Sequence, residues 1–202
     1  MRDRKTILAF CATVLSVALP RCLAQSFVLD GAVVGRIAKE SPFIIGPSLG
    51  LSISDKQKDL LFSLRWSSAR GTDNFSVNSY RAEDRVLRYG CSVARSIYRR
   101  EKTTISIGLA IDRLDVVRSA AGIDLGWGEV YRATGIGIGA VGRASYDIGS
   151  VISLIATVEP SYWHYTKSKA ENPTTNPLAR GLTSSPNFLL GLGCAFLLGT
   201  GR

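Results

Sequence analysis

From residue 26 onward, large apolar residues alternate with small or polar residues at every second position. The alternation is clearest over residues 43–54 and returns over residues 103–112 and 135–143. Side chains two residues apart project from the same face of a β-strand. The pattern therefore predicts strands with one apolar face and one face of glycine, serine, alanine and isolated charges.

The pattern predicts about eight strands joined by connections of two kinds. The strands are expected at residues 26–37, 43–54, 59–70, 84–99, 103–117, 130–146, 150–165 and 187–198. Short connections are expected at 55–58, 100–102 and 147–149, and longer polar ones at 38–42, 71–83, 118–129 and 166–186. Their strict alternation is typical of an up-and-down meander with its long loops at one end. In the last short connection, Gly149 is expected to close a three-residue turn that pairs Tyr146 with Ser150.

The composition favours a barrel in a membrane over a soluble sandwich. Hydrophobic residues make up 46% of the chain and the mean hydropathy is +0.13, yet no segment after residue 24 is long enough to cross a membrane as a helix. Much of the polar face is glycine, which suits the crowded interior of a narrow barrel. The predicted fold class is all-β: a closed antiparallel transmembrane β-barrel of about eight strands, the smallest barrel that side chains can fill.

The first 24 residues are interpreted as a secretory signal peptide. They begin with basic residues, continue with an apolar stretch at 6–20 and end in small residues before Gln25. The expected domains are therefore a signal peptide at 1–24 and a barrel domain at 25–202. The signal segment carries four basic residues and one acidic residue, a net +3, so the barrel domain keeps +6 of the total +9. That excess is too moderate to indicate a nucleic-acid partner.

With these features, the chain resembles the small eight-stranded outer-membrane barrels of the OmpA/OmpX type over essentially its whole length after the signal segment. The resemblance implies a bacterial outer-membrane location, contact with membrane lipid and lipopolysaccharide, and delivery by the barrel-assembly machinery. It also implies external loops that contact an extracellular ligand. Such barrels usually end in an aromatic residue, whereas here Phe196 is followed by six more residues. Basic residues of the predicted loops, among them Arg70 and Arg118, could bind lipopolysaccharide phosphates or simply keep the loops soluble.

Strand parity places a group of charged residues inside the predicted barrel. The group expected to form an ion-pair network comprises Arg65, Arg88, Asp112, Arg143 and Glu159. Charges within a membrane barrel persist when they are paired or meet water. Two functions fit such a network. The first is a closed, non-enzymatic barrel that serves envelope integrity, surface interaction or adhesion, and the second is a narrow pore gated by exchange of ion-pair partners.

A third function, lipid modification, centres on the single histidine. The chain is similar here to lipid A deacylases, small barrels that use a lipid-facing histidine with a serine two residues later; His164 and Thr166 occupy these positions. The resemblance implies a hydroxyl nucleophile activated by the imidazole, with threonine in place of serine. The alternative is an interfacial histidine in an aromatic girdle. We favour the alternative, because no acidic residue can be assigned to orient the imidazole.

The remaining motifs predict no cofactor and no metal. A G-x-G-x-x-G sequence at 137–142 lies inside a predicted strand, so its glycines are expected to make room in the lumen. One histidine without clustered cysteines or carboxylates gives no metal-ligand spacing. Cys91 and Cys194 are expected to face lipid on opposite walls. Aromatic residues near the strand ends predict two interfacial girdles. The girdle at the short-turn end comprises Tyr98 and Tyr146, and the girdle at the long-loop end comprises Phe43, Trp66, Trp127, Tyr131, Trp163 and Tyr165.

Overall fold

Eight antiparallel strands close into a barrel in the computed structural model, which describes residues 25–38, 43–55, 59–75, 80–122, 128–171 and 184–200. The strands are β1 Gln25–Ala38, β2 Ile44–Asp55, β3 Leu60–Phe75, β4 Tyr80–Arg100, β5 Thr103–Gly122, β6 Gly128–Asp147, β7 Ile152–Glu171 and β8 Ser185–Thr200. Each strand pairs with the next, and β8 pairs with β1. The predicted closed meander of eight strands is confirmed. The predicted signal peptide lies outside the described residues.

The outward face of the barrel is apolar on strands all around its circumference. Its exposed side chains include Leu29, Leu51, Val93, Leu109, Ile138, Leu154 and Leu192. Leu109 and Leu192 are 71% and 70% exposed. Soluble proteins rarely expose a continuous apolar surface of this extent. A closed barrel satisfies its backbone hydrogen bonds within the sheet, so this belt can face lipid. Within the described ranges, no helix is long and apolar enough to cross a membrane.

Strands β3 to β7 extend further toward the long-loop end than the sequence predicts. β3 ends at Phe75 and β4 begins at Tyr80, so most of the loop predicted at 71–83 is strand. The loop predicted at 118–129 is likewise mostly strand, because β5 ends at Gly122 and β6 begins at Gly128. Beyond the lipid, both faces of a strand meet water, so the apolar alternation ends while the backbone ladder continues.

The predicted pairing of Tyr146 with Ser150 is wrong. Tyr146 pairs with Leu154 and Asp147 with Ser153. The connection therefore spans residues 148–151, and the Ile148 amide donates to the Ile152 carbonyl at 3.0 Å. The shift between the two registers is four residues. Because this number is even, every side chain keeps its predicted face although its cross-strand neighbour changes.

An apolar cluster fills the lumen at the long-loop end, which we call the external end. This external plug consists of Ile44, Val86, Leu114, Val116, Trp163 and Leu189, all buried. Trp163, only 1% exposed, was predicted for the outer girdle, and that prediction is wrong; Tyr165 also packs against the plug. Tyr98 and Tyr146 are exposed at the short-turn end, as predicted. Trp127 lies outside the described residues.

Cysteine cross-linking tests the register between β6 and β7. With Cys91 and Cys194 replaced by serine, we expect Ala144→Cys and Ala156→Cys to form a disulfide under mild oxidation, because these residues are directly paired. The control pair, Ala140→Cys with Ala156→Cys, represents the register with Tyr146 opposite Ser150. It should remain reduced, since four residues along a strand separate the thiols by about 13 Å. Faster cross-linking of the control pair, measured by mass spectrometry, would contradict the register.

Candidate functional site

One row of directly paired residues runs around most of the barrel wall and alternates bulky side chains with glycine. In order from β1 to β7, the row contains Asp30, Gly50, Arg65, Gly90, Asp112, Gly137 and Trp163. All seven positions face the lumen by strand parity. Each charged residue of β3 and β5 therefore has a glycine on both neighbouring strands. These glycines leave space in the lumen for the charged side chains beside them.

The glycines of this row leave space that the neighbouring side chains occupy. A Cβ atom at Gly90 would overlap Oδ1 of Asp112 and the carbonyl oxygen of Ile111. A Cβ atom at Gly137 would lie 3.1 Å from Cδ1 of Trp163. Gly137 belongs to the G-x-G-x-x-G sequence, which lies entirely within β6. Gly137 therefore serves packing, because it leaves room for the indole ring of Trp163.

Four charged side chains form a closed ring of alternating sign across the lumen, which we call the central ring. Arg65 Nη2 lies 3.1 Å from Asp112 Oδ1, and Arg88 Nη2 lies 2.6 Å from Glu159 Oε2. The other two sides of the ring are Arg88 with Asp112, at 3.4 Å, and Arg65 with Glu159. β3 and β7 lie on opposite walls of an eight-stranded barrel. The ring therefore ties opposite walls together through buried charge-assisted hydrogen bonds.

Arg143 lies outside the central ring and forms its own pair. Its guanidinium donates to both oxygens of Asp30, at 2.7 and 2.8 Å, which connects β6 to β1. Asp30 also accepts from the Ser52 hydroxyl at 2.8 Å, and Ser52 contacts Ser63 at 2.9 Å. The structure thus divides the five residues of the predicted network into a ring of four and a separate pair with Asp30.

A third buried ion pair lies at the external end and was missed by the sequence reasoning. Arg118 Nε and Nη2 donate to the two carboxylate oxygens of Asp84, at 2.7 and 2.8 Å. Arg118 was predicted as a loop residue, and this prediction is wrong because β5 continues to Gly122. The missed signal is parity: Arg118 is an even-numbered residue of β5, like Asp112, so extending the strand turns it inward.

Arg36 lies in the same external region without a carboxylate partner among the described salt bridges. Its guanidinium carbon is 4.6 Å from the ring centroid of Trp163, within the range of a cation–π interaction. Its Nε donates to Asn187 Oδ1 at 2.8 Å. The Trp163 indole in turn donates to Ser161 Oγ at 3.0 Å. An arginine of β1 and an aromatic ring of β7 therefore stack in the lumen.

Part of the lumen is open at the short-turn end. A cavity of about 430 Å³ opens there, and serine and threonine hydroxyls provide much of its lining. Arg143 lines it and also lines a second cavity of about 60 Å³ that borders the central ring. Above the central ring, the external plug occupies the lumen. Among the described residues, the lumen is therefore open below the central ring and filled by apolar side chains above it.

His164 and Thr166 form hydrogen bonds with other residues and not with each other in the described part of the chain. His164 is exposed on the outward face, with Nδ1 3.0 Å from Ser184 Oγ. The Thr166 hydroxyl donates instead to the Thr134 carbonyl at 3.3 Å. Ser184 follows a long connection, so no spacing rule could have indicated this contact. Cys91 and Cys194 take the predicted outward positions on β4 and β8.

Comparison with known proteins identifies the fold. No family model matches the sequence, and no curated protein matches it. Neisserial surface protein A superposes with a TM-score of 0.57 at 15% identity, covering 85% of this chain and 96% of that one. A major outer membrane protein from Thermus thermophilus superposes with a TM-score of 0.59 at 9% identity, covering 86% and 99%. The chain has the fold of small outer-membrane β-barrels.

Removing one charge from the central ring should lower the free energy of unfolding more than removing an arginine and a carboxylate together. We expect Arg65→Met to lower the free energy of unfolding by about 3–5 kcal/mol, because it leaves buried carboxylates undercompensated. Adding Glu159→Gln to Arg65→Met should recover most of this loss, since Arg88 and Asp112 still form a pair. Denaturant unfolding in detergent micelles measures both variants. Additive losses in the double variant would contradict a coupled ring.

The row glycines should be sensitive to a single added methyl group. We expect Gly90→Ala to lower the free energy of unfolding by about 1–3 kcal/mol, because the new atom overlaps the Asp112 carboxylate. Gly31→Ala is the matched control, because a Cβ atom there has no neighbour within 4 Å. Thermal loss of the compact band on unboiled gels compares the two. Equal midpoints for both variants would refute the packing role.

Proposed function

We propose that this barrel is a non-enzymatic bacterial outer-membrane protein that acts as a closed, rigid platform for its external surface. The observation that carries the proposal is the central ring, in which each arginine contacts both carboxylates across the lumen. Envelope integrity, surface interaction and adhesion are the roles open to such a platform. The fold alone does not choose among them.

The apolar layer above the central ring supports closure over conduction. Apolar side chains of the external plug stand between the ring and the external end. A gated pore would require the ring to open and the plug to separate in the same event. Breaking a buried ion pair leaves uncompensated charges and costs several kcal/mol. A hydrated path through both layers is therefore unfavourable.

The apolar belt assigns membrane lipid as the barrel's partner. We also propose contacts with lipopolysaccharide, because the strands extend beyond the belt at the external end. Assembly by the barrel-assembly machinery would use the last strand, β8, whose outward face includes Phe196. An extracellular ligand would bind at the external connections.

Lipid A modification remains a separate hypothesis that rests on His164. The supporting contact is with Ser184, which could supply a hydroxyl nucleophile in place of Thr166. Both side chains lie on the external part of the barrel, outside the buried charge network. The hypothesis requires a change in lipid A acylation that depends on the chain and disappears in His164→Ala.

Conductance measurements test the closed platform. We expect the purified barrel to insert into planar bilayers without discrete current steps over a wide voltage range, because the ring and plug close the lumen. Insertion is verified independently by the mobility difference between boiled and unboiled samples. Reproducible unitary currents in the intact barrel, altered by Arg88→Met, would refute the platform and support the pore.

A further inference from the structure

Two arginines lie directly opposite each other on the outward face at the external end. Arg70 of β3 pairs in register with Arg85 of β4, and both side chains are exposed. Directly opposed residues in an antiparallel pair have Cβ atoms about 4.5–5.5 Å apart, and like charges there are destabilising. This cross-strand pair is therefore unfavourable unless an anion lies between the guanidinium groups.

The same register row carries a third exposed arginine. Arg85 pairs with Val117, and Val117 pairs with Arg132 on β6. We call Arg70, Arg85 and Arg132 the external basic row. Toward the other side, Arg70 pairs with Ile45, which is exposed and apolar. The positive charge of this row is thus confined to the β3–β6 side of the barrel.

The external basic row lies at the height of lipid headgroups. On the outward face of β4, four residues without charge separate Arg85 from Arg95: Leu87, Tyr89, Cys91 and Val93. The ten-residue distance between the two arginines, on a strand tilted by about 40°, spans about 25 Å across the membrane. Arg85 therefore lies at the external end of this uncharged stretch, and Arg95 lies near its periplasmic end, where Ile97 and Tyr98 are also exposed.

Two aromatic side chains lie four residues below the external basic row on the outward face. Trp66 and Tyr89 pair directly with each other on β3 and β4, both on the outward face. By the same spacing they lie about 10 Å below the arginines, among the lipid-facing residues of the belt. The acyl chains of a lipid held at the arginines would therefore contact these rings.

Two acidic residues lie beside the external basic row and form ion pairs there. Glu83 contacts Arg85 Nε at 2.8 Å, and Asp115 contacts Arg113 Nε at 3.6 Å. The contact with Glu83 lies on one side of the Arg85 guanidinium and is exposed to solvent, where an ion pair is weak. One carboxylate therefore does not neutralise the two guanidinium groups of Arg70 and Arg85.

We propose that Arg70 and Arg85, with Arg132, bind the phosphate groups of an outer-leaflet lipid whose acyl chains pack against the belt below. A phosphate between two guanidinium groups accepts several charge-assisted hydrogen bonds and removes the repulsion between them. The proposal rests on the membrane placement in the proposed function and specifies one lipid site within it. The ligand chemistry is a phosphate monoester carried by a membrane lipid.

Binding of lipid A with and without its phosphates tests this site. The probes are bis-phosphorylated lipid A and dephosphorylated lipid A, titrated into the barrel in uncharged detergent and followed by native mass spectrometry. We expect Arg70→Gln with Arg85→Gln to weaken binding of phosphorylated lipid A by at least about tenfold, which corresponds to one charge-assisted hydrogen bond. Arg95→Gln with Arg100→Gln removes the same charge at the periplasmic end and should leave binding unchanged.

The thermal midpoint of unfolding gives a second test, because the same substitution should act on it differently with and without lipid. In lipid-free detergent, Arg70→Gln should keep or raise the thermal midpoint, because it removes a repulsive pair. With phosphorylated lipid A present, the unaltered barrel should gain more than the variant, since a ligand stabilises the form that binds it. A site that serves folding alone would lower the midpoint of the variant in both conditions.

Three outcomes would overturn the lipid site. They are equal binding of dephosphorylated lipid A, equal weakening by the Arg95 and Arg100 control, and full displacement of lipid by inorganic phosphate at equal concentration. Conductance of the same samples separates this proposal from the closed platform. Unitary currents would refute the platform while phosphate-dependent binding would still support the lipid site.

Discussion

The pairing of β1 with β8 is the constraint from which the rest of the barrel follows. In lipid, an unpaired backbone amide or carbonyl costs several kcal/mol, so a spanning sheet must close. Closure by eight strands leaves a lumen that side chains fill. Every second residue is then committed to a narrow interior and every other residue to lipid. The alternation of apolar and small residues follows from that closure, and it sets which charged residues face the lumen.

A narrow lumen also explains why glycine and charge occur together. Arg65 and Asp112 reach each other over β4 because Gly90 lies between them on that strand. Larger residues at the row glycines would meet the same side chains that form the central ring. The wall and the network therefore depend on each other: small residues admit the ion pairs, and the ion pairs hold opposite walls at a fixed distance. This dependence makes a rigid platform a consistent reading of the fold.

The sequence predicts which face of the sheet a side chain takes better than it predicts which residues that side chain contacts. Parity correctly turns Glu159 and Asp112 inward, because the side-chain period of two survives an even register shift. The same parity on β7 places Trp163 inward, yet its position near a strand end favoured the girdle interpretation. Arg118 was missed for a different reason, since strand ends outside lipid lose the apolar signal. Which arginine meets which carboxylate depends on the shear of the closed barrel, and no local pattern in the sequence contains it.

The charge balance of the lumen gives a further argument for closure. Among the described residues, five arginines are largely buried in the lumen, and four of them, all but Arg36, contact inward carboxylates. Arginine suits these positions because its planar fork engages both oxygens of a carboxylate. Arg36 instead places its charge over Trp163 and donates to Asn187 near the external end. Arg36 pairs in register with Ile44 and Leu189, so its charge lies among the residues of the external plug. Positive charge and apolar packing therefore act in the same layer of the lumen, and both oppose the passage of a cation.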